Sequence, residues 1–205
     1  MNTLVLDRST DVQSVAWVTA EGAVTAQELA GLDSRSGEWT LQVRDFMAAQ
    51  GGGAAPDRIV VGTGPGSFAG IRAALAFAQG YAIGSGCAVF GLPSACACAA
   101  PEGPCAVIGD ARRGKFWIAL FDGAHLVRPV FQVEKDELDA CVPLSAPVVS
   151  PDDARIGVLL KELFDARYKG LSRPTAAGLA RAFLAEPGML KPEPLPLYLN
   201  PAVRD

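Results

Sequence analysis

Two short stretches of this chain hold residues whose types and spacing could bind an anion or a metal. The first is Gly62-Thr63-Gly64-Pro65-Gly66-Ser67-Phe68-Ala69-Gly70-Ile71-Arg72, a glycine-rich turn running into a helix. Backbone N–H groups at such a turn can hold a phosphate, with Arg72 one turn inside. Pro65 fixes φ, Gly64 and Gly66 permit angles closed to other residues, and Ser67 can cap the helix through its hydroxyl. The run lacks G-x-x-x-x-G-K-[ST], and Ser67 breaks G-x-G-x-x-G, so neither nucleotide fingerprint is met. Two readings stand for Gly64, Pro65, Gly66, Ser67, Gly70 and Arg72: an anion or partner contact, and a tight turn with a helix cap, which the residues favour.

The second stretch is Asp7 with Arg8, Ser9, Thr10 and Asp11, after the apolar run Leu4-Val5-Leu6. Sugar-kinase and actin-like folds place a phosphate- or metal-facing carboxylate there, and a strand-ending Asp also caps its own turn. Asp7 is a candidate of the vestigial kind. Asp110-Ala111-Arg112-Arg113-Gly114-Lys115 is the densest basic cluster, suited to a phosphate, an acidic partner or a solvated hairpin turn. His125 has no acid or nucleophile near it in sequence, and no G-x-S-x-G or H-E-x-x-H is present, so no catalytic residue is assigned. The 5 cysteines include no C-x-x-C and follow no signal-like segment. They fit buried small hydrophobes in a reducing cytoplasm, with no metal and no cofactor expected.

These residues sit in a chain of 205 residues, 50% hydrophobic and 20% charged, slightly apolar of the usual roughly 45–50% and roughly 25%. That tilt suits a subunit of an assembly. A net charge of −4 without a Lys/Arg block offers no footprint for a polyphosphate backbone, so any nucleic acid would bind mainly elsewhere. The longest apolar stretch, 73–90, is broken by Gln79 and glycines and reads as a core helix plus strand, not a membrane span.

Alternation and β-branched runs predict strands at 3–7, 14–18, 23–29, 58–61 and 87–90. Trp39, Val43, Phe46 and Met47 predict an amphipathic helix from Ser36 to Gln50, ended by Gly51-Gly52-Gly53, and a second helix spans 68–84. The order β-β-β-α-β-α-β is that of a ribonuclease-H-like lobe, assigned to 1–100. Beyond Pro101 the pattern restarts: strands at 105–109, 115–121 and 126–131 with a turn at Asp122-Gly123, a short helix at 136–141, a strand at 148–149, and helices at 153–168 and 175–185. Prolines at 187, 192, 194, 196 and 201 then impose an extended tail in which Leu195, Leu197, Tyr198 and Leu199 pack. The smaller lobe is assigned to 101–205.

The helix at 68–84 has a surplus of apolar surface. Only Arg72 and Gln79 are strongly polar, and seven residues apart they share one narrow face. Ile71, Leu75, Ala78 and Ala82 lie on one side, and Ala73, Ala74, Phe77 and Tyr81 on another, with Gly70, Ala76 and Gly80 keeping the cylinder slim. The chain's own sheet can cover one side. The other is left for a partner's helices, where hiding Phe77 and Tyr81 contributes roughly 1.5–3 kcal/mol each.

The pieces Leu4-Val5-Leu6-Asp7, Gly64-Pro65-Gly66-Ser67-Phe68-Ala69-Gly70-Ile71-Arg72, Gln79-Gly80, Gly109-Asp110-Ala111-Arg112 and Leu197-Tyr198-Leu199 resemble the TsaB (YeaZ) family. The resemblance implies an α/β actin-like ATPase (ASKHA) fold of two ribonuclease-H-like lobes, the second reduced. It also implies a non-catalytic subunit for threonylcarbamoylation of adenosine 37 in tRNA, pairing with the paralogue TsaD while the ATPase TsaE docks on the pair. The first-lobe helices would form the joint, through Trp39, Val43, Phe46, Ala73, Ala74, Phe77 and Tyr81, and could make a homodimer when the chain is alone. TsaD itself needs two histidines for its metal, and His125 is the 1 histidine here. Three positions depart from the family pattern: Asp7-Arg8 replaces Asp-Thr, Ala69 replaces Thr, and Asn200 replaces Arg. A stand-alone ATPase or small-molecule kinase using Asp7 and the 62–72 loop is the alternative, and a peptidase a distant third without a nucleophile set. On the pairing reading, Tyr81→Glu or Ala74→Trp leaves the isolated chain folded and abolishes pairing; unfolding on gel filtration and circular dichroism would return that face to the core.

Overall fold

Leu4, Val5 and Leu6 are solvent-free on both sides of their strand, which is the environment that a run without alternation demands. The computed structural model describes residues 1–29, 37–52, 54–100 and 102–199. Ser36 at the expected helix start, Gly53 of its glycine stop, the boundary Pro101, and Asn200 and Pro201 of the tail lie outside the described residues. The chain divides into two units, 1–97 with 174–197, and 98–173 with 198–205.

In the first unit, β1 (Thr3–Asp7) pairs antiparallel with β2 (Gln13–Val18), which pairs with β3 (Val24–Leu29). On its other edge β1 runs parallel to β4 (Arg58–Gly62), and β4 to β5 (Ala88–Leu92). The sheet runs β3-β2-β1-β4-β5, and its first three strands are antiparallel and sequential as expected. Helices α1 (Glu38–Gly51) and α2 (Phe68–Ser85) cover one face: Leu4, Leu6, Val15, Trp17, Ile59 and Val61 meet Trp39, Val43, Phe46, Ile71, Ala74 and Leu75 in one core. Ser14 has the opposite parity to Val15 and Trp17, so it points to the other face. There its hydroxyl accepts from the N–H of Ala176 at 2.8 Å, where α5 (Ala176–Ala185) begins. Thr175 caps that helix, as its hydroxyl accepts from Gly178 N–H at 3.1 Å.

The second unit holds β6 (Pro104–Arg112), β7 (Lys115–Asp122), β8 (His125–Leu126), β9 (Phe131–Val133), α3 (Leu138–Cys141), β10 (Val148–Ser150), α4 (Asp153–Phe164) and β11 (Tyr168–Leu171). Its sheet runs β11-β10-β6-β7-β8, with β9 also on β7. Ile156, Leu160 and Phe164 of α4 bury against Ile108, Ile118 and Val148. The helix expected over 153–168 therefore stops early. Tyr168 leaves it for a strand, and its hydroxyl donates to Asp153 at 2.5 Å. The strand expected over 126–131 is likewise two short pieces, split before Phe131.

Two differences concern the C-terminal half of the chain. Residues 174–197 were expected in the smaller lobe, yet they return to the first unit, because α5 packs on β1, β2 and β3. The tail also gives a short strand, β12 (Lys191–Pro192), antiparallel to β5 at the sheet edge, the one place a proline strand is tolerated. Leu195 and Tyr198, expected to pack, are exposed, while Leu197 donates its N–H to the Thr63 carbonyl at 2.8 Å.

Ala74 is the clearest correction to the expected faces of α2. Its methyl is 0% exposed within the chain's own core, so it cannot meet a partner. A tryptophan there has nowhere to go. Ala74→Trp should lower the melting temperature by more than the roughly 1–3 kcal/mol of ordinary overpacking implies, read by thermal circular dichroism; a variant melting with the wild type would contradict this placement.

Candidate functional site

The site is built where the turn after β1 meets the start of α2. Asp7 is fully buried, and its carboxylate accepts from Ser9 N–H (2.9 Å), Ser9 Oγ (2.7 Å) and Ser94 Oγ (2.7 Å). The first of these bonds is the turn cap that the sequence favoured for a strand-ending Asp. Burial raises the Asp7 pKa above its ordinary 3.8 despite the three hydrogen bonds, each of which pulls it down. With its oxygens spent on Ser9 and Ser94, this carboxylate faces protein, not a ligand.

The glycine-rich loop is equally committed. Gly64 N–H donates to Ser94 Oγ at 3.0 Å, Ser67 N–H to the Ser9 carbonyl at 2.6 Å, and Gly70 N–H to Ser67 Oγ at 3.2 Å. Ser67 is thus the N-cap of α2. A Cβ at Gly66 would strike the Ser9 carbonyl, and one at Gly70 the Arg8 carbonyl, so both glycines exist to let the turn at 8–9 lie on this loop. Pro65 is buried, and Arg72 is exposed with its guanidinium 4.9 Å over the Phe68 ring. The amides that would cradle a phosphate at Gly64, Ser67 and Gly70 are occupied.

What remains open is the outer side of α1 and α2. Ile71, Ala74, Leu75 and Ala78 point inward, whereas Ala69, Arg72, Ala76, Gln79, Gly80 and Ile83 form an exposed stripe with the 3.6-residue repeat. Ile83 is 89% exposed, and Leu41 on α1 is 50% exposed. Between the helices runs a groove of about 530 Å³ lined by Arg8, Trp39, Thr40, Ala73, Ala76, Phe77, Gly80 and Tyr81. Its aromatic wall is ordered, with Phe77 edge-on to Trp39 at 5.2 Å and stacked on Tyr81 at 6.2 Å.

Of the residues expected at a joint, the structure brings Trp39, Ala73, Phe77 and Tyr81 to this groove, the last three half-buried. Val43, Phe46 and Ala74 are sealed inside the first unit, because a helix on a sheet spends its bulky stripe on its own core. Arg8 was missed as a groove residue; the signal available was a charged side chain where the family pattern has Thr. In the second unit the basic cluster is a β6–β7 turn, and Asp110 pairs with Arg112 at 3.6 Å and Arg155 at 3.5 Å, which neutralises it. His125 is exposed on β8, and burial pushes the Cys96 thiol up to about 12. Among the described residues no helix is long and apolar enough to cross a membrane, and no three His, Cys, Asp or Glu side chains group as for a metal.

Because Asp7 binds its proton more tightly folded than unfolded, its contribution to stability is complete below the ordinary 3.8 and is lost as pH rises through the raised folded value. Wild type should therefore lose stability relative to Asp7→Asn as pH is raised from the acid side, seen as converging or crossing denaturation midpoints. Parallel midpoints at every pH would show that burial does not control this group.

Residues 43–131 match the family model TsaD, tRNA N6-adenosine threonylcarbamoyltransferase. Uncharacterised proteins of Mycobacterium bovis and Mycobacterium tuberculosis are 35% identical over 147 residues, 70% of this chain. The chain spans 64% of the length of those curated relatives. In structure it is similar to YeaZ from Pseudomonas aeruginosa (TM-score 0.75, 21% identity, 96% of this chain and 100% of that one). A Pseudomonas aeruginosa protein described as having similarity to peptidase YEAZ gives a TM-score of 0.76 at 22% identity, over 97% of this chain and 99% of that one. The mixed α/β fold with two sheets is that of YeaZ. The chain is thus similar to the TsaD family model over 43–131 and to YeaZ in fold.

Proposed function

We propose that this chain is a non-catalytic scaffold subunit of the system that makes threonylcarbamoyladenosine at position 37 of tRNA. It pairs with a TsaD paralogue through the outer side of α1 and α2, and TsaE docks on the pair. The observation that carries this reading is the apolar stripe Ala69, Ala76, Gly80 and Ile83 beside the aromatic groove, surface that the chain's own sheet does not cover. Covering Ile83 alone contributes roughly 1.5–3 kcal/mol. Slender residues on α2 let a second helix approach closely, the geometry of a helix bundle. tRNA is met through the assembled complex, in keeping with the net charge of −4.

A stand-alone ATPase or kinase has less support, since Asp7 and the loop amides it would use are already bonded within the chain. A peptidase would need an activated nucleophile. Ser9 and Ser94 instead donate to a buried carboxylate, and the 1 histidine of the chain, His125, is exposed in the other unit.

Mixed with its TsaD paralogue, the chain should elute as a heterodimer on gel filtration. Tyr81→Glu should weaken pairing roughly 30-fold or more by burying an unpaired charge, with the melting temperature kept. Two unshifted peaks for the wild type, or heat from ATP and Mg²⁺ by calorimetry that Asp7→Ala abolishes, would overturn the scaffold reading.

A further inference from the structure

Two N–H donors in the α1–α2 groove have no acceptor. Arg8 is 4% exposed, its Nε makes no hydrogen bond, and no carboxylate stands within ion-pair distance of its guanidinium among the described residues. Trp39 is 2% exposed, and its indole Nε1 is also unpaired. The two are neighbours, with the Arg8 guanidinium carbon 4.6 Å over the Trp39 ring. A ring face steadies a cation, but it supplies no acceptor lone pair for these N–H groups. Desolvation lowers the Arg8 pKa below its ordinary value, and a guanidinium nevertheless keeps its proton. A largely buried charge whose Nε–H has no acceptor disfavours the isolated chain, and an incoming anion relieves it.

The rest of the groove says which anion. Among the described residues no second cation lines it, which suits a single negative charge better than a phosphate dianion. Ala73, Phe77, Gly80 and Tyr81 form an apolar channel, which suits an acid carried on an aliphatic stem. A second copy of this chain is a poor source: α2 has no acidic residue, and of the two acids on α1 Glu38 is already engaged and Asp45 is held by its own Arg44 at 2.7 Å.

We propose that Arg8 and the Trp39 indole form a receptor for one glutamate or aspartate side chain on a helix of the heterologous partner, buried as a charge-assisted pair when α1 and α2 are covered. This rests on the pairing reading above and adds the element of register that an apolar face alone lacks, because the carboxylate must meet one fixed fork.

The test uses the full chain and its TsaD paralogue. Arg8→Met should weaken Kd about 30-fold or more, since one partner of a buried charge pair is removed, while the isolated variant melts at or above the wild-type temperature. Arg8→Lys should recover part of the affinity. With the wild-type chain, Gln and Asn replacements of each acid on the partner's contacting helices should find one whose loss matches that of Arg8→Met and is not additive with it. A shift for Arg8→Met below about threefold, the range of exposed ion pairs, overturns the receptor alone and leaves the pairing reading standing. So does a scan against the wild-type chain in which no single acid's loss weakens pairing beyond about threefold, which decides the matter even if Arg8→Met does not fold, and so does competition of pairing by millimolar inorganic phosphate. A wild-type chain that fails to pair overturns both.

Discussion

The turn at Arg8-Ser9 lies directly on the loop that starts α2, and the first unit is organised around that contact. It is possible only because Gly66 and Gly70 have no Cβ to strike the Ser9 and Arg8 carbonyls. Asp7 ties the knot from beneath, linking the end of β1 to Ser9 and to Ser94, 87 residues further along. Each partner satisfies a polar group that would otherwise be buried unbonded, so the cluster is a structural joint of the first unit. The same contact sets Arg8 against Trp39 at the head of the groove.

From that joint follows the division of α2 into two functional sides. Ile71, Ala74, Leu75 and Ala78 are spent on the sheet, and the bulky stripe of α1 is spent beside them. What α2 turns outward is small and apolar, interrupted by Arg72 and Gln79. A soluble surface helix ordinarily presents charge on that side. Here a thin helix, an aromatic groove and a guanidinium without an ion-pair partner among the described residues lie together, and on the proposed reading one partner polypeptide would cover all three.

The first unit was legible because its signals are local. Apolar runs fixed β1 and β4, glycine and serine fixed the entry to α2, and the strand order followed from the element order. The side of α1 that a partner could reach was not legible: Val43 and Phe46 look alike as core or as interface until the sheet beneath them is placed. Ala74 failed for the same reason. Ser94 as partner of Asp7, and Arg8 as a groove residue, depend on contacts distant in sequence that no periodicity encodes. In the second unit β11 was missed and its first residue was taken into the helix, since Tyr168 continues the apolar repeat of α4 although its hydroxyl is drawn back to Asp153. The return of 174–197 to the first unit was hidden because a crossover leaves no mark in composition.

Hydrogen–deuterium exchange on the chain, alone and saturated with its TsaD paralogue, reads the covered surface most directly. Added protection should concentrate in 38–47 and 68–85, on both helices that frame the groove, and the peptides of the second unit should change little. Protection that leaves α2 untouched, or that gathers in the second unit, would mean that the uncovered face of this helix is not where the partner lies.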